Sequence, residues 1–350
     1  MKHAAGLLLL AALALPVGAA SASFADDPAV VEFARDLGER HAFDADELLA
    51  QFARIRPNAR VLQLIRPPAT PLQRSWERYR PRFLNERRID GGVRFWQENR
   101  ASLARASATY GVPEEVIVAI IGVETEYGRN TGGFGVLEAL ATLAFHYPRR
   151  AEFFRTELEQ FLLLARENGM NALAVRGSFA GAIGIPQFMP GSQRRYAVDF
   201  DGDQRVDLGG SVDDAIGSVA RFLEQHGWEP GMPVAVPAHT AGEPERALIE
   251  AGIQPTLVAG DLARQGIVAD ADPAAVVTLV DLVSPGYATE YWLGFNNFYV
   301  ITRYNRSSFY AMSVFQLAEE IRMRAPAALR NPALSENGRP QRLSNQGVPQ

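Results

Sequence analysis

Pro113-Glu114-Glu115-Val116-Ile117-Val118-Ala119-Ile120-Ile121-Gly122-Val123-Glu124-Thr125-Glu126-Tyr127-Gly128 reads as a helix, with Pro113 placed where a first turn tolerates proline. At about 100° per residue, Glu124 shares a face with Ile117, Ile120 and Ile121. Glu115 and Glu126 fall roughly opposite. A carboxylate on a buried apolar stripe is costly unless it is paired or used, and burial raises its pKa toward neutrality. That condition suits a general acid, which must hold a proton for a leaving oxygen. A buried glutamate bound to an arginine as a structural pair fits the same pattern, and this segment alone leaves both readings open.

The stretches that follow favour chemistry. Ala141-Thr142-Leu143-Ala144-Phe145-His146-Tyr147-Pro148-Arg149-Arg150 opens a helix whose stripe is Phe154, Leu158, Phe161 and Ala165. Two arginines at a helix N-terminus oppose its dipole, so an anionic partner is expected to offset them; the alternative is that both are solvated. Next comes Arg176-Gly177-Ser178-Phe179-Ala180-Gly181-Ala182-Ile183-Gly184-Ile185-Pro186-Gln187-Phe188-Met189-Pro190. Its glycines let backbone approach a ligand closely, and Ser178 and Gln187 offer hydrogen bonds. It is no serine-hydrolase elbow, because Arg176 stands where the first glycine of that motif belongs.

Outward from this centre the chain is mainly helical. Helices are expected from Asp27 to about Thr109, with Asp46 capping a short one and a single helix over Gly92 to Ala108. A second helical block runs from Pro113 to about Gly227, with Gly169 and Gly227 just past helix ends. After Trp228 short β-branched runs, Val234 to Val236 and Val276 to Val280, predict a small β-rich insert, and another strand is expected through Phe298 to Thr302. Helix returns at Met312 to Arg322, and from Ala325 the polar composition predicts a flexible tail. The fold class is therefore α+β, mainly α.

Composition narrows the function. At 47% hydrophobic and 21% charged, the 350 residues describe a globular protein with ample core. The 35 basic and 40 acidic residues leave a net charge of −5, which argues against nucleic-acid binding by phosphate attraction. Absence of cysteine excludes disulfides, thiol catalysis, thiolate metal sites and lipid attachment to an N-terminal Cys. Lys2, the apolar run Ala4 to Val17 and the small residues Ala20-Ser21-Ala22 form a secretory signal, with cleavage expected after Ala22 or, second, after Ala25. Losing Lys2 leaves 34 basic residues against 40 acidic, a net charge of −6. No other segment approaches a membrane span, so a soluble, exported, periplasmic protein is expected.

Six motifs in order, Gly122-Val-Glu124-Thr, Tyr147-Pro-Arg-Arg150, Gly177-Ser-Phe-Ala-Gly181, Gln187-Phe-Met-Pro190, Tyr196-Ala-Val-Asp199-Phe and Thr302-Arg-Tyr304-Asn305, closely resemble the B-type lytic murein transglycosylases, glycoside hydrolase family 103. The resemblance runs from about Tyr79 to Ala318. It implies a lysozyme-like helical core (111–228) with an additional helical domain (26–110), a small β domain (229–295) and a return to the core (296–324). It also implies cleavage of the β-1,4 bond between N-acetylmuramic acid and N-acetylglucosamine in peptidoglycan. One carboxyl acts where ordinary glycosidases use two, and the product is a 1,6-anhydro sugar. Carried over by position, Glu124 is the acid. Tyr79, Arg149, Arg150, Ser178, Gln187, Tyr304, Asn305 and Tyr310 line the groove. Phe222 stands where the family commonly has a tyrosine, which puts that hydroxyl contact in doubt. Peptidoglycan glycan strands are the implied partner, with cell-wall synthesis enzymes as further candidates.

Asp199-Phe200-Asp201-Gly202-Asp203-Gln204-Arg205-Val206-Asp207 places carboxylates at positions 1, 3, 5 and 9 of an EF-hand-like loop, with the Arg205 carbonyl at 7. Gln204 replaces the usual glycine at 6, and Gly210 the usual glutamate at 12. Four aspartates this close repel one another unless a cation is present, which favours a structural Ca²⁺; a solvated turn is the alternative. In the resembled family the last carboxylate comes later, which makes Asp213 the expected ligand and Asp214 the reserve. A hydrolytic muramidase would need a second carboxylate opposite Glu124, and none is clear in the sequence. A glycan-binding scaffold would have no need of a buried acid.

Overall fold

The computed structural model describes residues 23–67 and 74–330. The expected export signal and the part of the expected flexible tail beyond residue 330 lie outside them. The chain divides between Ala59 and Arg60 into two units. In the first, α1 (Pro28–His41) starts where the Asp27 carboxylate accepts the Ala29 N–H at 2.9 Å. Asp44, not Asp46, caps α2 (Ala45–Phe52): it immediately precedes the first turn, and its Oδ1 accepts the N–H groups of Asp46 at 2.8 Å and Glu47 at 3.1 Å. Phe24, Leu37 and Phe52 are buried within this unit.

α3 (Ala59–Ile65) begins at the division. The larger unit continues with α4 (Trp76–Tyr79), α5 (Glu86–Glu98), α6 (Arg100–Tyr110), α7 (Glu114–Thr125), α8 (Val136–His146), α9 (Ala151–Glu167), α10 (Pro190–Tyr196) and α11 (Val212–Gln225). The single helix expected over 92–108 is two, because at Asn99 the side-chain amide and backbone N–H both bond the Phe95 carbonyl, closing α5. Every residue from Val116 to Val123 in α7 is buried, so the helix is enclosed all round instead of striped. The cause is its position: α5, α6, α11 and α15 (Ser308–Arg324) all pack on it. Tyr127, just past α7, wedges against Gly91, Gly92 and Gly122, where side chains would collide with its ring or hydroxyl. Its hydroxyl donates to the Arg88 carbonyl at 2.7 Å.

A two-stranded piece pairs β1 (Phe134–Gly135) with β2 (Arg176–Gly177). The predicted β insert is present as β3 (Ala235–Thr240), β4 (Leu257–Val258), β5 (Ile267–Ala269), β6 (Val276–Leu282) and β7 (Glu290–Gly294), antiparallel in the order β4-β6-β7-β3-β5. Two short helices, α12 (Arg246–Glu250) and α13 (Ala259–Arg264), accompany it. Strand alternation explains its two faces: Val277 and Leu279 pack in a local cluster, while Val280 and Leu282 join the main core.

Two expectations fail here. The run Phe298 to Thr302 is not a strand but most of α14 (Asn296–Thr302). Its β-branched residues are overridden by tertiary context: Asn297, fully buried, accepts the Glu229 N–H at 2.8 Å and donates to the Glu229 and Met232 carbonyls at 2.9 Å. The segment from Ala325 to Arg330 is not a loose tail. It carries the short α16 (Ala327–Arg330), with Ala325 and Leu329 buried and the Ala328 carbonyl accepting from Arg100 at 3.1 Å.

Candidate active site

Glu124 occupies the last turn of α7, surrounded by apolar helix. It keeps a partial opening to solvent. Burial raises its pKa from the ordinary 4.5 to about 7. The carbonyl end of α7 acts in the same direction. A single hydrogen bond works against this: Tyr310 Oη donates to Glu124 Oε1 at 2.6 Å, favouring the charged form. No arginine pairs with Glu124 and no second carboxylate perturbs it among the described residues, so the structural ion pair is not what the chain builds. Glu126 turns away in a left-handed conformation at φ 52° and pairs with Arg87 and Arg129.

Tyrosines gather at this carboxyl. Tyr310 is 2% exposed, and burial first, then the neighbouring Glu124, keep its hydroxyl protonated far above the usual range, so it remains a donor. Tyr304 stacks beside it with centroids 6.5 Å apart at 15°. Tyr79 stands near enough that the charge of Glu124 raises its pKa, secondary to its own burial, and it stacks on Trp76 at 6.2 Å. Phe222 is buried among Phe188, Tyr196 and Tyr304.

The glycine-rich loop is tied to the same place at two adjacent carbonyls. Thr125, next to the acid, donates to the Ile185 carbonyl at 2.8 Å, and Tyr304 Oη donates to the Pro186 carbonyl at 2.7 Å. Thr125 was quoted in the sequence motif but given no role; its partner lies 60 residues away, beyond any local signal. Ser178 Oγ accepts from Ala180 N at 3.3 Å and Ala182 N at 3.0 Å, leaving its own proton to donate. Gln187, at φ 53°, spends its side-chain N–H groups on the carbonyls of Thr131 at 3.0 Å and Gly184 at 2.8 Å. Its Oε1 is left as an acceptor. Asn305 is exposed. Arg149 and Arg150 are exposed and pair with no described carboxylate, and Arg150 lies over the rings of Phe153 and Phe154.

The acidic loop links α10 to α11. Carboxylate oxygens of Asp199, Asp201 and Asp203 lie within 4.8 Å of one another at the surface. Hard oxygen donors in this number suit a Ca²⁺ completed by carbonyls and water. Asp213 stands elsewhere, accepting from Ser102 Oγ. Asp214, 1% exposed, serves as the loop's internal hub by accepting from the N–H groups of Phe200, Asp201 and Asp207. The Arg205 N–H donates to Asp203 Oδ1 at 2.8 Å. Gln204 adopts φ 72°, the conformation for which glycine is usual at this position.

A lysozyme-like helical core holding one enclosed, near-neutral carboxyl among tyrosines defines a glycan-cleaving enzyme. The family model of the transglycosylase SLT domain matches residues 25–319. The membrane-bound lytic murein transglycosylase B of Escherichia coli (strain K12) is 43% identical over 309 residues, 85% of this chain and 84% of that protein. The crystal structure of soluble lytic transglycosylase SltB1 from Pseudomonas aeruginosa gives a TM-score of 0.80 at 46% identity, covering 85% of this chain and 99% of that one. The Escherichia coli lytic transglycosylase Slt35 in complex with calcium gives 0.78 at 40%, covering 86% and 94%. The chain belongs to the transglycosylase SLT family.

Proposed function

We propose that this protein is a peptidoglycan lytic transglycosylase that cleaves the β-1,4 bond between N-acetylmuramic acid and N-acetylglucosamine with Glu124 as its only acid and base. The observation that carries this is a carboxyl raised to about 7 by burial, with no carboxylate partner among the described residues to activate water. Glu124 enters protonated and gives its proton to the glycosidic oxygen as the C1–O bond breaks. The resulting carboxylate is held by the Tyr310 hydroxyl and takes the proton of the muramic acid's C6 hydroxyl as that oxygen bonds C1. The proton returns to Glu124, no water is consumed, and the product is a 1,6-anhydro sugar.

The groove residues follow from what each has left to offer. The Ser178 hydroxyl donates to substrate and Gln187 Oε1 accepts from it. Asn305 can do both. Tyr79 and Tyr304 give apolar sugar faces a surface, and Arg149 and Arg150 meet acetamido or peptide groups. The three clustered aspartates, with the Arg205 carbonyl, hold a structural Ca²⁺; Asp213 joins only if the start of α11 exchanges its Ser102 bond for the cation. The leading residues read as an export signal, which makes the periplasm the site of action and glycan strands the partner. Among the described residues no single helix is long and apolar enough to cross a membrane.

Mass spectrometry of muropeptides released from purified sacculi tests the reading. Products one water lighter than hydrolytic fragments, absent with Glu124→Gln, are expected. Reducing-end products would overturn it.

A further inference from the structure

Behind the glycine-rich loop lies a cavity of about 690 Å³ whose lining does not include Glu124. It runs between that loop, the end of α9 and the acidic loop. Two of its residues, Thr131 and Gly184, supply the carbonyls that hold the Gln187 side chain, so it shares a wall with the proposed groove.

Three features describe what it would accept. First, Gln193 on α10 is 4% exposed, lines the cavity, and has a side-chain oxygen with no hydrogen-bond partner. A buried acceptor without a donor is a cost that a ligand N–H or O–H removes. Second, Arg176 and Arg205 bring exposed guanidinium groups to the lining, and neither pairs with a described carboxylate. The two acids present are already occupied: Glu167 pairs with Arg194 at 2.7 Å, and Asp207 accepts the N–H groups of Gly209 and Gly210. The unspent capacity is thus for a carboxylate. Third, the lining contains no aromatic ring on which a sugar could stack, while Met170, Val175 and Leu208 offer room for short apolar side chains.

We propose that this cavity receives the peptide arm of the substrate, a short peptide whose free carboxylate meets Arg176 and Arg205 and whose backbone N–H meets Gln193. This rests on the peptidoglycan reading above, since muramic acid in that polymer carries such an arm. The sugar that carries the bound arm then has an anchor outside the glycan groove, and the loop bearing Ser178 and Gln187 is braced when the arm is bound.

Two substrates separate this from the function itself: uncrosslinked peptidoglycan strands, and the same strands stripped of peptide by an amidase. Arg176→Ala and Gln193→Met should each raise KM on peptide-bearing strands about tenfold, leave kcat unchanged, and alter nothing on bare glycan. Equal effects on both substrates, or none on the peptide-bearing one, overturn the proposal. Calorimetry with the free stem tripeptide and the Glu124→Gln protein gives a readout independent of catalysis. Binding that Arg176→Ala abolishes supports the site, and absence of binding to the parent overturns it. Should the wild-type protein release no anhydro products from either substrate, the functional reading fails while the tripeptide titration still decides the cavity.

Discussion

Replacing Glu124 by Gln should destroy activity and stabilise the protein, and the size of the gain depends on pH in a defined way. Glutamine is the isostere of the protonated acid and keeps an oxygen for the Tyr310 hydroxyl, so no cavity opens and no donor is orphaned. What the variant removes is the cost of holding a charge in the core. The folded-state pKa is about 7 and the ordinary value 4.5. The native protein therefore binds its proton more tightly than the unfolded chain does, and stability falls as pH rises between these values. Below about pH 4.5 the penalty is absent; above about 7 it is complete. At 1.36 kcal/mol per pKa unit the full penalty is about 3 kcal/mol, and partial opening to solvent reduces it to about 2–3 kcal/mol. Urea unfolding of both proteins at about pH 4 and pH 8.5 measures it. Other burial-raised carboxyls such as Glu115 and Glu157 are common to both proteins and cancel in the difference. The variant should be close to wild type at the lower pH and more stable by about 2–3 kcal/mol at the higher. Equal stabilities at pH 8.5 would mean the carboxyl is solvated, and the single-acid mechanism would lose its proton donor at neutral pH.

Other consequences follow from neighbouring contacts. Tyr310→Phe deletes the one interaction that favours the charged carboxyl, so the basic limb of kcat/KM should move to higher pH while its plateau falls about tenfold; a limb moving to lower pH would refute the assignment. Gln204→Gly relieves a left-handed backbone at φ 72° and should raise stability by about 0.5–1 kcal/mol in thermal unfolding with Ca²⁺ present. EDTA should lower the melting temperature of the wild type, and Asp199→Ala should erase that difference, as binding to the native state alone requires. Gly122→Ala places a Cβ 2.5 Å from the Tyr127 hydroxyl and should cost about 1–3 kcal/mol in urea unfolding.

What the sequence reveals and what it hides divide along range. Glu124 was legible because a lone carboxyl amid isoleucines violates local pattern within one helix. The glycine loop was legible because Gly177, Gly181 and Gly184 permit close approach of backbone, and a Cβ at any of them would indeed meet a neighbouring atom within 2.4 Å. Helix stops at Gly169 and Gly227 were legible too, and both residues adopt positive φ, at 61° and 91°. The environment that tunes the acid was not. Tyr310 lies 186 residues from Glu124, and only family resemblance placed it in the groove. Asn297 shows the same limit from the opposite side. Its neighbours Phe298, Val300 and Ile301 have the composition of a strand, yet three hydrogen bonds to residues about 65 positions earlier hold them helical.

That helix has a consequence for catalysis. α14 ends at Thr302, two residues before Tyr304, so the packing of Asn297 sets where Tyr304 meets the Pro186 carbonyl and where Tyr310, in the first turn of α15, meets Glu124. Had 298–302 continued as a strand, at about 3.3 Å per residue instead of 1.5 Å, Tyr304 would be carried several ångströms along the chain and the acid would lose its donor. The buried asparagine, remote from any substrate, thereby acts on the acid through backbone conformation. Its replacement should appear as a shifted pH profile as well as a loss of stability.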